Sequence, residues 1–556
     1  MSAAGPSGVG GRIDATFPAL TPAQLTRLAA CGTRREVRGG EVLYEPGAAA
    51  VSFYAVESGE VELTRPVAAG EARVSLLASG QFTGEVNILS GRPPIVRARV
   101  NVAGEVIELP REQLLALLQT DAELGEIFMR AFILRRTELV AGGLGDVVMV
   151  GSQHSAATLH VREFLSRNGH PYAFVDLDLD SGVQELLDRL HVAAVDVPVL
   201  ICRGEVVLRN PTNAQIADCL GFNDAIDQGR VRDLVVVGAG PAGLSAAVYA
   251  ASEGLDVLVV ETSSPGGQAG ASSRIENYLG FPNGISGQEL AARAYVQAQK
   301  FGAQVVIARS ARSLVCNRRP YSLVLDEGPP VPTRAVILAT GAEYRRLAVD
   351  NLARFEGAGV YYGATFMEAQ LCRGEEVIVV GGGNSAGQAA VFLAQSAKHV
   401  HLLVRAEGLA ESMSRYLVRR IESSPRITLR TRSEIVALEG DDHLERVRWR
   451  GQRREETESR DVRHIFVMTG AVPSTQWLAG CVALDAKGFV KTGFTLTPED
   501  LAAARWPLPR PPHLLESSLP AVFAVGDVRA DNLKRVAAAV GEGSIAVALV
   551  HRALQE

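Results

Sequence analysis

The stretch DLVVVGAGPAGLSAAVYAASEGLDVLVVE, residues 233–261, decides how this chain is read. Leu234–Val237 is an unbroken apolar run of the kind that forms a strand buried on both faces. Gly238, Gly240 and Gly243 follow at G-x-G-x-x-G spacing, with Pro241 and Ala242 between them. Ala246, Ala247 and Ala250 then recur at helical spacing, and Val257–Val260 is a second apolar run closed by Glu261. Strand, glycine turn, helix, strand and acid in that order specify a β-α-β unit built for a dinucleotide. Gly238 permits the tight turn, Gly240 lets the backbone approach a pyrophosphate, and Gly243 lets helix and strand pack closely. The helix N-terminus offers the phosphates free N–H groups and a positive dipole. Glu261 stands where an acid accepts from a ribose 2′-hydroxyl. A glycine-rich turn in an unrelated α/β domain would explain the glycines, but not the second strand and its acid.

Outward from this unit the pattern repeats. Gly266-Gly267-Gln268 and Glu276-Asn277-Tyr278 are polar, turn-forming pieces, and the strand Ala335–Ala339 ends in Thr340-Gly341. Glu376–Val380 is another strand, and Gly381, Gly383 and Ala386 follow at G-x-G-x-x-A spacing around Asn384 and Ser385. An alanine-rich helix runs to Ala397 and a strand covers Val400–Val404. No acid closes that strand. Arg405 stands there instead, which favours a 2′-phosphate and so NADP over NAD. Near the C-terminus Val522–Val525 leads into Gly526-Asp527, and a helix runs from Val536 to Leu549.

Two nucleotide folds in this order, with Ala339-Thr340-Gly341 between them and Gly526-Asp527 near the end, resemble the low-molecular-weight thioredoxin reductase family. The resemblance implies an FAD-binding domain from residues 231–355 and 469–556, with an NADPH-binding domain, 356–468, inserted between. It implies FAD contacts at Gly238, Gly240, Pro241, Ala242, Gly243, Glu261, Gly267, Gln268, Asn277, Thr340, Gly341, Gly526, Asp527, Arg535 and Val536. Of these, Asp527 would hold the ribityl–phosphate region and Arg535-Val536 would lie near the flavin's pyrimidine edge. NADPH would be held by Gly381, Gly383, Asn384, Ser385, Ala386 and Arg405. A homodimer is also implied.

The departure from that family is at Tyr361-Tyr362-Gly363-Ala364-Thr365-Phe366. The family has C-A-T-C just before its second glycine motif, and here Gly363 and Phe366 take the cysteine places. Cys372 is nearby but alone, and reads as an ordinary strand-edge residue; a single thiol does not cycle as an internal disulfide. The expectation is hydride transfer from NADPH to the flavin, chemistry of the cofactors, with electrons leaving directly to a redox protein, a quinone or oxygen. Two alternatives stand beside it: a flavin-based redox or ligand sensor with incidental turnover, and disulfide reduction through an external thiol partner. The segment Thr497–His513, rich in proline and alanine, reads as an inserted loop over the flavin or at a partner surface.

Two further regions precede the nucleotide folds. In residues 12–140, glycines at Gly40, Gly47 and Gly59 punctuate short apolar runs, which suits a small antiparallel β-barrel or jelly roll. Arg111–Val140 turns helical. This region resembles the cyclic-nucleotide-binding domain of the catabolite-activator type, on Gly84, Glu85 and Arg97. The resemblance implies Glu85 on a ribose hydroxyl and Arg97 on a cyclic phosphate. Val86-Asn87 and the Pro93-Pro94 pair depart from it. No helix-turn-helix follows. After a glycine-rich linker, Ala141–Gly145, residues 145–222 run strand, helix, strand, helix, then Val197-Pro198 into two strands and a helix, with helices over SQHSAATLHVREFLSRNG and Gly182–Leu190. That order resembles thioredoxin and glutaredoxin, but Ser155 and Thr158 stand in the C-x-x-C places, so no dithiol chemistry is expected. The region reads as a spacer or as a relay between sensor and enzyme. The fold class is therefore multidomain: a β-barrel, a thioredoxin-like α/β fold and two Rossmann-like α/β domains.

The totals agree. A chain of 556 residues holds several domains. A net charge of −6 gives no nucleic-acid surface. No apolar run of about 18–20 uncharged residues marks a membrane span. The N-terminus MSAAGPSGVGG has neither a basic start nor an apolar core, and reads as a disordered tail, not a signal peptide. The six cysteines lie far apart with no C-x-x-C pair. They point to reduced thiols in the cytoplasm, with no disulfide framework and no metal site.

Overall fold

In the computed structural model, described residues are 16–556 apart from 49–50, 68–69, 85–86, 142–146, 154, 179–195, 203–205, 228, 273, 365, 411, 442 and 452–456. The N-terminal tail, Glu85, the Gly182–Leu190 segment and most of the glycine-rich linker lie outside them.

The first region pairs β1 (Thr33–Val37), β2 (Val42–Tyr44), β3 (Phe53–Val67), β4 (Gly70–Leu77) and β5 (Arg97–Leu109) into one antiparallel sheet in which β5 joins β1, β2 and β3. Helix α1 (Pro22–Cys31) opens it on a Thr21 capping box, and α2 (Asn87–Ser90), α3 (Arg111–Thr120) and α4 (Ala122–Ala141) complete it. Phe53, Phe82, Phe128 and Phe132 interlock in its core, with Phe82 and Phe128 centroids 4.7 Å apart edge to face. Val296, from the distant flavin-domain sequence, is buried in the same cluster.

The second region is a four-stranded sheet of β6 (Val147–Gly151), β7 (Ala173–Asp176), β8 (Val199–Cys202) and β9 (Val206–Arg209), in the order β7-β6-β8-β9. Only β6 and β7 are parallel. Helix α5 (Ala156–Arg167) follows β6 and α6 (Asn213–Cys219) closes the region. The Val197–Pro198 bond is cis.

The apolar runs of the glycine-motif units form two parallel sheets. In the first, β10 (Arg232–Val237) lies between β11 (Val257–Val260) and β15 (Val331–Leu338). Strand β12 (Gln304–Val306) extends one edge, and β13 (Ala311–Val315) and β14 (Tyr321–Leu325) form an antiparallel flank on the other. Helix α7 (Pro241–Ser252) follows the glycine turn; α8 (Gly267–Gly270) and α9 (Gly287–Lys300) return the chain to β12. The second sheet runs β17-β24-β18-β19-β20, from β17 (Val360–Tyr361), β18 (Glu376–Val380), β19 (His399–Leu403), β20 (Ile427–Arg430) and β24 (His464–Val467). A short antiparallel pair of β16 (Ala342–Tyr344) and β25 (Ala471–Pro473) carries the chain out of the first sheet and back. Strands β21–β23 (Glu434–Glu439, Arg446–Arg450, Thr457–Arg460) form a separate antiparallel ribbon. Finally β26 (Val522–Ala524) rejoins the first sheet beside β15.

The last helix, Val536–Gln555, is long and apolar enough by length and composition to cross a membrane. Ala539, Gly543, Ala546, Val547 and Val550 are buried, and Gly543 approaches α7 so closely that a Cβ there would lie 2.3 Å from the Ala242 carbonyl. That seam makes it the core helix of the first nucleotide domain.

Three sequence readings are corrected. Cys316 and Cys481 are disulfide-bonded, with Cα atoms 5.9 Å apart. They join the end of β13 to the turn after Gln476–Leu478, a pairing that 165 intervening residues hide. Cys372 is fully buried after a helix, Phe366–Leu371, rather than at a strand edge, and burial pushes its thiol up to about 12. The segment Thr497–His513 opens with a helix, Pro498–Ala503, on a Thr497–Asp500 capping box. Its Arg510 then pairs with buried Glu516 and with Glu556.

Candidate functional site

Gly238 has φ +105°, and a Cβ there would sit 2.3 Å from the Ala339 carbonyl oxygen. At Gly243 a Cβ would sit 1.8 Å from the Gly238 oxygen. Both positions are closed to any side chain. Gly240 differs: a Cβ there would meet only the Gly267 Cα, at 3.9 Å, while a Cβ on Gly267 would lie 3.1 Å from the Gly240 Cα, so the two glycines pack against each other in the cavity wall. Glu261 is buried, and its carboxylate accepts from the Ala239 amide at 2.7 Å and the Ser263 amide at 3.0 Å.

These residues line a cavity of about 950 Å³. Its wall includes Gly238, Gly240, Pro241, Ala242, Glu261, Gly267, Gln268, Asn277, Thr340, Gly341, Gly526, Asp527, Arg535 and Val536. Gly243 stands behind the wall in the helix–strand contact. The Gln268 amide donates to the Ala342 carbonyl, and Thr340 Oγ1 donates to the Ser474 carbonyl at 2.9 Å. Burial raises the Asp527 carboxyl above its ordinary value, against the pull of Lys534. Glu542 accepts from the Gly526 amide at 2.7 Å, fixing the turn that presents Asp527. A cavity walled by glycines at a helix N-terminus, by the buried carboxylate of Glu261 and by the half-buried carboxyl of Asp527 fits FAD.

The same cavity reaches the second nucleotide unit at Asn384, Ser385 and Gln388. There Gly381 has φ +144° and no room for a Cβ, which would meet the Met468 oxygen at 2.4 Å, whereas Gly383 is open. Ala386 is buried behind the turn, and Asn384 Oδ1 accepts from the Ser414 amide at 2.7 Å. The two units can be aligned by backbone. The Gly238 amide bonds the Val260 carbonyl and the Gly381 amide bonds the Leu403 carbonyl, so the counterpart of Glu261 is Val404. Arg405 lies one residue further on. It is exposed and makes no ion pair among the described residues.

Gly363 also lines the cavity, with a virtual Cβ 3.8 Å from that of Ala271, and Ala364 bridges to Ser272. No cysteine lines the cavity among the described residues. None of Thr497–His513 lines it either. Tyr361 and Tyr362, which open the departing motif, line it too, as do side chains the sequence assigned no site role: Arg309, Lys534 and Trp477 from the nucleotide domains, and Leu159, His160, Glu163 and Arg167 from α5. These last belong to no motif, so only the folded contacts reveal them. Arg167 donates to the Gly267 carbonyl at 2.8 Å, and Gln288 donates to the Ser166 carbonyl at 2.7 Å. Ser155 is the N-cap of α5, and Thr158 is buried behind it.

The first region holds a second cavity, of about 240 Å³. Gly84 lines it, together with Arg65, Arg73, Arg92, Pro94, Arg135 and Glu138. Arg97 does not. Glu45 and Glu71, on the neighbouring chain segments, take its guanidinium, with the Glu45 contact at 2.7 Å.

Residues 232–543 match the family described as pyridine nucleotide-disulphide oxidoreductase, and residues 34–121 match the cyclic nucleotide-binding domain. Among curated proteins, the chain is 32% identical over 319 residues to a thioredoxin reductase of Ureaplasma parvum, covering 57% of this chain and 94% of that one. It is 33% identical over 326 residues to a thioredoxin reductase of Mycolicibacterium smegmatis, covering 59% and 97%. Among solved structures, Lactococcus lactis thioredoxin reductase in its FR conformation superposes with a TM-score of 0.52 at 25% identity, over 58% of this chain and 99% of that one.

Proposed function

Because the chain belongs to the pyridine nucleotide-disulphide oxidoreductase family and is an oxidoreductase that uses FAD and NADPH, we propose that it passes electrons from NADPH to an acceptor with no internal dithiol between. The observation that carries this reading is the single cavity. It joins the Gly238–Gly240 turn to the Asn384–Ser385 turn, and Gly363 but no cysteine lines it among the described residues. Bound flavin supplies the two-electron chemistry. The chain holds the pyrophosphate against Gly240 and Gly267, receives the ribose at Glu261, and offers a half-buried carboxyl at Asp527. Arg405 favours the phosphate of NADPH.

In this proposal the acceptor is a redox protein, a quinone or oxygen, the setting is cytoplasmic and the chain pairs as a homodimer. The second region is a thioredoxin-like module, supported by its β7-β6-β8-β9 sheet, whose helix α5 walls the flavin cavity. The first region is a sensor for a small anionic ligand of nucleotide type, supported by four arginines around one cavity.

The test is anaerobic reduction of the purified flavoprotein by NADPH, followed by a panel of acceptors. Bleaching of the flavin, then reoxidation by a quinone, oxygen or a redox protein, is expected. Reoxidation by a thioredoxin disulfide alone would overturn the dithiol-free route.

A further inference from the structure

The strongest unexplained group in the molecule is Arg92. Its side chain is only 8% exposed, yet it lines the barrel cavity. One guanidinium nitrogen, Nη2, donates to the Tyr295 hydroxyl at 2.9 Å. The group stacks over Phe222 at 4.5 Å and lies 5.5 Å from the Tyr295 ring centroid. Its Nε is buried with no hydrogen-bond partner. A buried cation with an unsatisfied donor is costly, and an anion beside the guanidinium lowers the cost.

Tyr295 belongs to α9, a flavin-domain helix, so the cassette around Arg92 touches the enzyme directly. The contact is broad. Val296 is buried in the sensor core, Gln119 donates to the Lys300 carbonyl at 2.9 Å, and Gly91 abuts the Asp224 carboxylate. From Tyr295 the helix runs about 12 Å, at 1.5 Å per residue, to its N-terminus. There Gly287 bonds the Ser272 carbonyl at 2.8 Å and admits no Cβ against Ala269. Ala291 packs on Gly266. Gly267 and Gln268, the next residues, form the flavin cavity wall.

Resting on the sensor reading above, we propose that Arg92 is both the anion ligand of the barrel and its coupling residue to the flavin site. A phosphate-bearing small molecule in the cavity pairs with the guanidinium while Nη2 holds Tyr295, and so fixes α9 and the α8 wall. Arg65 and Arg73, from paired strands, add cationic charge and make no ion pair among the described residues. Glu138 is the opposing acid of the cavity, and Arg97 is spent on Glu45 and Glu71. The second region is thus not the route of the signal, although it is the covalent link. Linkage requires the reverse effect too: occupancy at the flavin site changes ligand affinity by the same factor.

The experiment uses the full-length flavoprotein titrated with cyclic AMP, cyclic GMP and inorganic phosphate, read by calorimetry and by amide hydrogen exchange across residues 287–300. The parent chain is expected to bind a phosphate ester and to gain protection in that helix. Arg92→Gln should bind about ten- to a hundredfold more weakly, the worth of a charged hydrogen bond. Tyr295→Phe should keep the affinity within about threefold, the scale of a modest net contact, but lose the added protection. Should Arg92→Gln purify with reduced flavin, Arg92→Lys keeps the charge without the fork and replaces it. Undiminished binding by the Arg92 variant overturns the ligand role. Retained protection in Tyr295→Phe overturns the coupling. If the parent binds none of the three probes, the sensor reading itself falls, and this inference with it.

Discussion

Replacing Gly240 by valine separates cofactor binding from folding. Gly240 has φ −69°, a conformation open to any residue. A Cβ there meets only the Gly267 Cα, at an ordinary 3.9 Å. As the N-cap of α7 it makes no side-chain cap, so the exchange costs the helix roughly 1 kcal/mol in cap preference. A domain stable by about 5–15 kcal/mol absorbs that. The two methyl groups stand at the cavity wall beside the N-terminus of α7, where the pyrophosphate is to lie. Losing two charge-assisted hydrogen bonds there, at about 1.5–3 kcal/mol each, forfeits roughly 3–6 kcal/mol, or about 10²–10⁴ in affinity. The variant should purify folded and nearly colourless, judged by flavin absorbance and by thermal unfolding beside FAD-stripped parent protein. Gly243→Ala is the contrast. Its Cβ would overlap the Gly238 oxygen at 1.8 Å, so flavin and fold should fail together. Full flavin in Gly240→Val would refute the cavity assignment, and unfolding like that of Gly243→Ala would refute the argument from open space.

Arg405→Ala should weaken NADPH by about ten- to a hundredfold and leave NADH nearly unchanged, read from limiting-nucleotide rates of flavin reduction. Cys316→Ala with Cys481→Ala should lower stability by about 2–4 kcal/mol in urea unfolding, with flavin reduction by NADPH intact, because neither cysteine lines the cavity. Burial holds His401 and His464 below their ordinary 6.5, against the opposing pull of Glu376 and Glu375. The unfolded chain therefore takes up protons first, so stability is full above about pH 6.5 and falls as pH drops through that value; a pH-independent melting temperature between about pH 7.5 and 5.5 would contradict this.

Backbone necessity is what the sequence displays best. Gly238, Gly243 and Gly381 sit where a Cβ would strike a carbonyl oxygen, so their spacing carries the fold. Side-chain partnership is displayed worst. Arg97 has the right spacing for a phosphate ligand, but its guanidinium goes to Glu45 and Glu71, and neither carboxylate is close to it in the chain. Arg92 lies five positions earlier and carries no signal in the sequence, because its partners Tyr295 and Phe222 come from other domains. The second nucleotide unit shows a finer slip: only the backbone pairing of Gly381 with Leu403 identifies Val404 as the counterpart of Glu261. The Cys316–Cys481 bond is of the same kind, since connectivity is a property of the fold and not of spacing.

The second region carries no thiol at the start of α5, at Ser155 and Thr158, and packs on the cavity all the same. Ser155 accepts from the Thr158 amide at 3.5 Å, a weak cap on the first turn of α5. That helix lays Leu159, His160 and Glu163 along the flavin cavity and fastens Arg167 to the Gly267 carbonyl. Its first residue, Ala156, also abuts Gly357 at the entry to the second nucleotide domain. One twelve-residue helix therefore touches both nucleotide domains and the wall between them. A side chain with no redox chemistry still sets the shape and charge of the space an acceptor must enter. Arg92 approaches the same α8 wall from the other side, through α9. Gly267 is thus held by Arg167 on one face and reached through Gly287 and Ala269 from the other, which makes this short turn the place where contacts from both N-terminal regions converge on the cavity wall.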